Sequence, residues 1–453
     1  MTRTPRVRRL LGIAAALTAT AAALTACSGD DGGTASDGGG LGTAEKHVKI
    51  TMMSNDAFAQ QWQEQLVPEF NKKYPYIDVT IDSTPYDDLL AKGMLNGTDT
   101  DPQYDLITLD DPWTPQMAQA GVLLDLKKDA GSWTAKDYDW SDFNSAPLAA
   151  SEWHGGQYGV PLRSNMLLMF YNKDLYAKAG LDAPTPELTW DQYLQEAPKL
   201  VQDTNGDGKT DSWAVGLTWQ KGVLSPPFWQ AVLNSNGGKL FTDDMKPAFD
   251  TKAGAAALQT QVDLLKYAPP GAQAYNYTEP LDAFRQGKIA TIFTWGSAYK
   301  SAAVDPAVTK LTPEQVGIQT MPVGSKSAST HRGIWSGAVF KNSKHPEAAW
   351  TFLQWMSSKD GEKWCTDTFG SFPARKSTLA STPGQPWLAP VFSTLQSAYD
   401  VAAKGEMWRP RSPQSNAIQQ VLADQTSAAV LGQISSAQAL KKAETQIDDL
   451  LAE

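Results

Sequence analysis

Phe58, Trp62, Leu66 and Phe70 recur at every fourth position behind a short apolar run at residues 48–53, which places all four on one face of a helix. The run itself predicts a strand. Apolar stretches at 77–81 and 104–109 follow, separated by a helical segment from Tyr86 to Leu95, so the chain opens strand, helix, strand, helix, strand. That alternation predicts a parallel, doubly wound α/β sheet. Ligands of such sheets sit at the carboxyl ends of the strands, and the loops there are residues 54–56, 82–84 and 110–113. Further along, helices are predicted at 173–179, 190–203, 227–234, 253–267 and 279–286, with strands at 159–161, 167–171 and 289–293 and another closing at Val339 and Phe340. From Pro346 the pattern is mainly helical, at 346–356, 388–402 and, in pieces, 417–450. No sequence repeat relates the two halves.

The amino end follows a different logic. Arg3, Arg6, Arg8 and Arg9 precede an uncharged stretch from Leu10 to Ala26, and Leu24, Thr25 and Ala26 lead into Cys27. This reads as an export signal over residues 1–26 ending in a bacterial lipobox, with Cys27 the lipidated residue. Two or three acyl chains anchor far more firmly than one, at about 0.8 kcal/mol per buried methylene. An uncleaved membrane helix is the competing reading, but the apolar stretch is short of the roughly 20 residues a span requires. Arg8 and Arg9 also fit a twin-arginine signal. Residues 28–45 are Gly, Ser, Thr, Ala and Asp apart from Leu41 and Glu45, too polar to offset ordering entropy, so 27–46 is expected to be a flexible tether.

Composition narrows the class. Lys+Arg number 39 against 49 Asp+Glu, and removing the four signal arginines leaves 35 − 49 = −14. An acidic surface excludes nucleic acid as the natural partner. With Cys27 lipidated, Cys365 has no disulfide partner. The roughly 400 remaining residues exceed one ordinary core, so two lobes are expected. Sixteen tryptophans are more than cores need, leaving several indoles for a binding surface. Enzyme signatures are thin: the four histidines at 47, 154, 331 and 345 lack ligand spacing, and no nucleophile elbow or phosphate loop is present.

Several stretches resemble the sugar-binding group of extracellular solute-binding proteins of ABC importers. Tyr104, Asp105, Leu106 and Ile107 run into Asp110, Asp111, Pro112 and Trp113, then Ala120, Gly121 and Val122. Tyr158, Gly159, Val160 and Pro161 lead to Phe170, Tyr171, Asn172 and Lys173; Phe284, Arg285, Gln286 and Gly287 precede Trp295 and Gly296; and Gly333 to Gly337 precede His345, Pro346 and Glu347. The resemblance spans nearly the whole mature chain. It implies two α/β lobes joined by hinge crossings near 163–167, 289–293 and 335–339, with a ligand cleft between them. One lobe is expected to hold 48–162 plus 294–333, the other 163–293 plus 334–453. It also implies a monomer outside the cytoplasmic membrane that hands a sugar or oligosaccharide to a permease and its ATPase, with no cofactor required. A surface carbohydrate-processing enzyme, and a receptor for a polyol, glycerophosphodiester or peptide, are the alternatives.

A sugar presents fixed hydroxyls and an apolar ring face, which call for acceptors, planar donors and aromatic platforms. Asp110 and Asp111 are candidate acceptors and Trp113 a platform, though the same residues would cap and pack the next helix. Arg163 and Asn165 lie at the first expected crossing, where they contact ligand or brace the hinge. Trp295 and Trp335 follow the other crossings, and Trp219, Trp229, Arg375, Asn55 and Phe58 complete the candidates. Arg409, with Trp408 and Arg411, matches a late family segment near the cleft, where lobe packing is the other reading. Asp203, Asn205, Asp207 and Asp211 occupy positions 1, 3, 5 and 9 of a loop with Gly208 at position 6, as a structural Ca²⁺ loop would, but position 12 is Ala214; an Asx turn explains the same residues.

Overall fold

The computed structural model describes residues 40–402 and 409–452. The signal, Cys27 and most of the tether lie outside the described residues, as does Trp408. The tether was expected to reach residue 46, yet order begins sooner: Thr43 and Lys46 exchange backbone hydrogen bonds of 2.9 and 3.2 Å, and Val48 N–H donates to the Tyr76 carbonyl. Among the described residues no helix is long and apolar enough to cross a membrane.

The described residues form ten strands: β1 (Val48–Asn55), β2 (Ile77–Thr84), β3 (Leu106–Asp110), β4 (Glu152–Trp153), β5 (Gly156–Gln157), β6 (Val160–Asn172), β7 (Trp213–Gly216), β8 (Ile289–Trp295), β9 (Val316–Gln319) and β10 (Arg332–Val339). Eight of them form one sheet in the order β2-β1-β3-β10-β6-β8-β7, with β9 also on β6; β4 and β5 make a separate hairpin. The expected parallel start is present, β1 lying between β2 and β3. β10 then runs antiparallel to both β3 and β6.

β6 organises the molecule. Its residues 160–166 pair with β10, whereas 167–172 pair with β8 and β9. Sequence reading gives two strands here, 159–161 and 167–171, where the structure has one; Pro161 falls beside the register shift between Trp335 and Ser336, where a missing N–H is tolerated. Each half of the sheet carries a core on both faces. In the second half the strand alternates, Leu167, Met169 and Tyr171 entering one core with Trp219, Trp229, Leu422 and Leu440, and Met166, Leu168 and Phe170 entering the other with Phe284, Ile292 and Leu395. In the first half Ile50 and Met52 pack with Trp62, Phe70, Trp350 and Phe352, while Met53, Ile107 and Leu109 pack opposite with Trp113 and Phe340. Two lobes therefore share one strand.

That geometry corrects the expected lobe boundaries. Residues 294–333 do not join the first lobe, because β9 pairs with Met169–Asn172; nor do residues 334–369 join the second, because β10 pairs with β3 and the helix Pro346–Met356 packs on β1. The crossing expected at 289–293 is an interior strand of the second lobe, flanked by β6 and β7. The helices Leu388–Ala402, Ser415–Val430 and Ser436–Ala452 return to the second lobe's two cores. The longest helix missed from the sequence is Lys359–Phe369, capped by Ser358, whose side chain accepts from Gly361 N–H, and ended by Gly370 at φ 72°.

Candidate functional site

Opposed residues on neighbouring strands share a face, and across the β6 crossing these are Arg163 with Trp335, Asn165 with Gly333, and Leu167 with Trp295. One continuous face thus carries a guanidinium between two partly exposed indoles. Gly333 is what permits it. A Cβ there would sit 2.9 Å from the Trp295 ring, so only glycine lets the indole lie on the crossing strand. Phe58, buried at the start of the first helix, meets Trp335 edge to face at 5.3 Å and lies under the Arg163 guanidinium at 5.0 Å. From the second lobe Tyr277 approaches Arg163, and burial raises its pKa while the guanidinium opposes that shift; burial also makes Arg163 give up its proton more readily. Asn165 donates to Ser297 Oγ at 2.8 Å and accepts from Ser297 N–H, clamping the crossing to the turn after β8.

On the second-lobe side of this face Trp295, Tyr277, Thr218, Phe228 and Thr294 line a cavity of only about 20 Å³, room for a single water. Ligand sites run to several hundred Å³, so this cavity alone is too small for a polyol or sugar.

The carboxyl end of β3 is filled from within the protein. Arg409 donates from Nη1 to Asp110 Oδ2 at 2.7 Å and from Nη2 to Asp110 Oδ1, and its Nη2 also meets Asp111 Oδ1 at 2.5 Å. Tyr86, the first residue of the helix that follows β2, donates to Asp110 Oδ2 at 2.8 Å. All three charged side chains are at least 95 % buried. Burial raises the Asp111 pKa to about 6, the Arg409 charge holding it down and the Asp110 charge adding to the rise. Arg411 extends the same segment, donating to the carbonyls of Ala150 and Glu152. Asp110 and Asp111 are thus ion-paired groups, and their expected role as hydroxyl acceptors is corrected accordingly. Trp113 is buried as well, edge-on to Trp335 at 5.9 Å, so it backs the platform.

Other candidates disperse. Trp219 and Trp229 are sealed in the second lobe's core, their indole N–H groups donating to the carbonyls of Gln261 and Gly254 at 3.2 Å. Arg375 is a core cation of the first lobe, held by the carbonyls of Ser357 and Asp139 and by Asp142, and stacked 4.0 Å above Phe143. Asn55 caps the first helix through Ala57 N–H at 3.0 Å. In the candidate Ca²⁺ loop, Asp203 accepts from the amides of Gly206, Asp207 and Gly208, and Asp211 accepts from Thr204, the pattern of a self-satisfied turn. Among the described residues no three acidic, His or Cys side chains converge on a common point.

Sequence reasoning missed Tyr86, Tyr277, Ser297 and the buried His331, whose ring meets Gln230 Oε1 at 2.7 Å beside Trp295. Tyr86 had a signal, since it follows the strand-end loop at 82–84. The others depend on pairings no local pattern carries.

A family model described as bacterial extracellular solute-binding protein matches residues 55–363. The chain belongs to that family. Among solute-binding proteins, the mannitol-binding protein of Pseudomonas aeruginosa is 29% identical over 311 residues, covering 64% of this chain and 68% of the relative. The ribitol complex of an ABC transporter solute-binding protein from Agrobacterium radiobacter K84 superposes with a TM-score of 0.76 at 27% identity, over 89% of this chain and 99% of that one. Maltose-bound MalE3 of T. maritima, at 24% identity and TM-score 0.77 over 89% and 100%, shares the two-lobe fold. The relatives of this solute-binding protein are binding proteins rather than enzymes.

Proposed function

We propose that this chain is the lipid-anchored receptor of an ABC importer, tethered outside the cytoplasmic membrane through Cys27, and that it captures a sugar or polyol and delivers it unchanged to a permease and its ATPase. One observation carries the ligand class: the indoles of Trp295 and Trp335 flank Arg163 on a single sheet face, which supplies apolar platforms for C–H groups and a planar donor for hydroxyls. The mannitol and ribitol bound by the relatives suit that surface. Affinity near micromolar, about −8 kcal/mol, meets the needs of capture and release.

The test is calorimetric titration of the purified chain with pentitols, hexitols, monosaccharides and malto-oligosaccharides, followed by chromatography of the recovered ligand. Saturable binding of a neutral member, recovered intact, is the expected result. Chemical turnover would make it an enzyme. Arg163 forms no ion pair among the described residues, so glycerol 3-phosphate belongs in the panel; tighter binding than by every neutral member would move the assignment to an anionic solute. For the anchor, Cys27→Ser is expected to shift the protein from the detergent phase to the aqueous phase.

A further inference from the structure

At the far end of β7 and β8 from Trp295, the second lobe carries a cavity of about 360 Å³ on its outer flank. The seven residues of β8 separate the two places by about 20 Å. Trp213, the first residue of β7, forms one wall; it belongs to none of the four cores and stacks on no other ring. Pro269, Pro270 and Tyr275 form the facing wall. Lys288 and Gln286 stand at the rim with Asp282, whose carboxylate already accepts from Arg285 at 2.8 Å.

The cavity is rigid. Two consecutive prolines fix their own backbone, Gly271 turns the chain at φ 84°, and Ala272 N–H closes the turn on the Pro269 carbonyl at 3.0 Å. The Tyr275 carbonyl is held by the N–H groups of Trp219 and Gln220, and Trp213 N–H donates to the Lys288 carbonyl at 2.9 Å. Every wall belongs to one lobe, so hinge motion leaves the shape unaltered. The side chains of Trp213, Tyr275, Gln286 and Lys288 form no hydrogen bond or ion pair among the described residues. An indole N–H, a phenol, an amide and an ammonium therefore converge unengaged around an apolar wall.

The geometry points to a second saccharide site, distinct from the interlobe face, which takes one pyranose unit stacked on Trp213 with its hydroxyl oxygens toward Lys288 and Gln286. Flat apolar surface beside free donors matches a sugar ring, and the volume suits one or two such rings. The same chemistry fits a free oligosaccharide or a unit of a polymer, and the assay separates them.

The protein is labelled with 5-fluorotryptophan, and the Trp213 resonance is identified as the one missing from W213F. Maltotriose, cellotriose and tri-N-acetylchitotriose are titrated in solution, and retention on insoluble amylose, cellulose and chitin is measured in parallel. At least one trisaccharide is expected to move the Trp213 resonance saturably, in W295A as in the parent; the pair K288A/Q286A is expected to weaken that response roughly tenfold, and W213A, read by calorimetry in the W295A background, to weaken binding of the same trisaccharide by a similar factor. Retention on the matching polymer would place the unit in a polymer; no retention would assign the free sugar. The inference is overturned if no probe moves the Trp213 resonance, or if the response vanishes in W295A, which would trace it to the cleft.

Discussion

Replacing Arg409 with methionine tests the reading of the β3 terminus. The guanidinium is 5% exposed, Asp110 2% and Asp111 3%, so the change strands two adjacent carboxylates in a dry site. Breaking a buried pair in this way costs about 3–5 kcal/mol, which should lower the urea midpoint by roughly 1 M or more. The loss must also depend on pH. Asp111 is already raised to about 6 with the arginine present, and removing the arginine raises it further. A carboxyl whose folded pKa exceeds its unfolded value binds more protons in the native state, so its contribution improves as pH falls through the folded value and worsens as pH rises. R409M should therefore be most damaged at pH 8 and regain stability toward pH 5. The triple variant D110N/D111N/R409M, which removes all three charges, should return to within about 2 kcal/mol of the parent. A midpoint unchanged at pH 8, or a penalty that grows in acid, would refute the argument.

Asp111→Asn alone should lose stability relative to the parent as pH falls from about 6 to 4, because only the parent gains a proton at residue 111 in its native state there. The comparison must be a difference from the parent, because His331, whose pKa burial pushes well down, contributes the opposite slope. Gly333→Ala places a methyl 2.9 Å from the Trp295 ring and should weaken the tightest ligand of the panel about tenfold with little change in melting; unchanged affinity would remove Trp295 from the site. Trp229→Ala should cost about 3–5 kcal/mol without selectively weakening ligand, as judged by calorimetry on the folded fraction. Calcium at about 5 mM should leave the melting temperature unaltered, and a rise that D203N abolishes would establish a metal loop instead of a turn.

Much of the fold was legible where local pattern and local structure coincide. The spacing of Phe58, Trp62, Leu66 and Phe70 does mark the first helical stretch, though a π-turn at Trp62–Leu66 interrupts it, and residues 346–356 and 388–402 are helices with the expected ends. Lobe membership was not legible, because it follows from strand pairing: nothing in Val316–Gln319 itself says that its partner is Met169–Asn172. The candidate site divided in the same way. Trp295, Trp335, Arg163, Asn165 and Phe58 lie near one another because strand order brings strand ends and crossings together. Trp219 and Trp229 were misjudged because an indole's burial depends on what covers it, here helices more than 25 residues away such as Ser415–Val430. For Arg409 the sequence left cleft and lobe packing open and named no partner: Asp110 lies 299 residues earlier, and no periodicity spans that interval.

The strand shared by both lobes imposes an order on the chain's birth. Val160–Asn172 emerges about 170 residues before its neighbour Arg332–Val339, an interval of roughly ten to thirty seconds at 5–20 residues per second. Throughout that wait β3 and the leading half of β6 present bare ladder edges, the kind of surface that seeds aggregation. A nascent chain of this design gains from being kept unfolded by holding factors until its last third has been made, and truncations ending before residue 340 should accumulate as insoluble material.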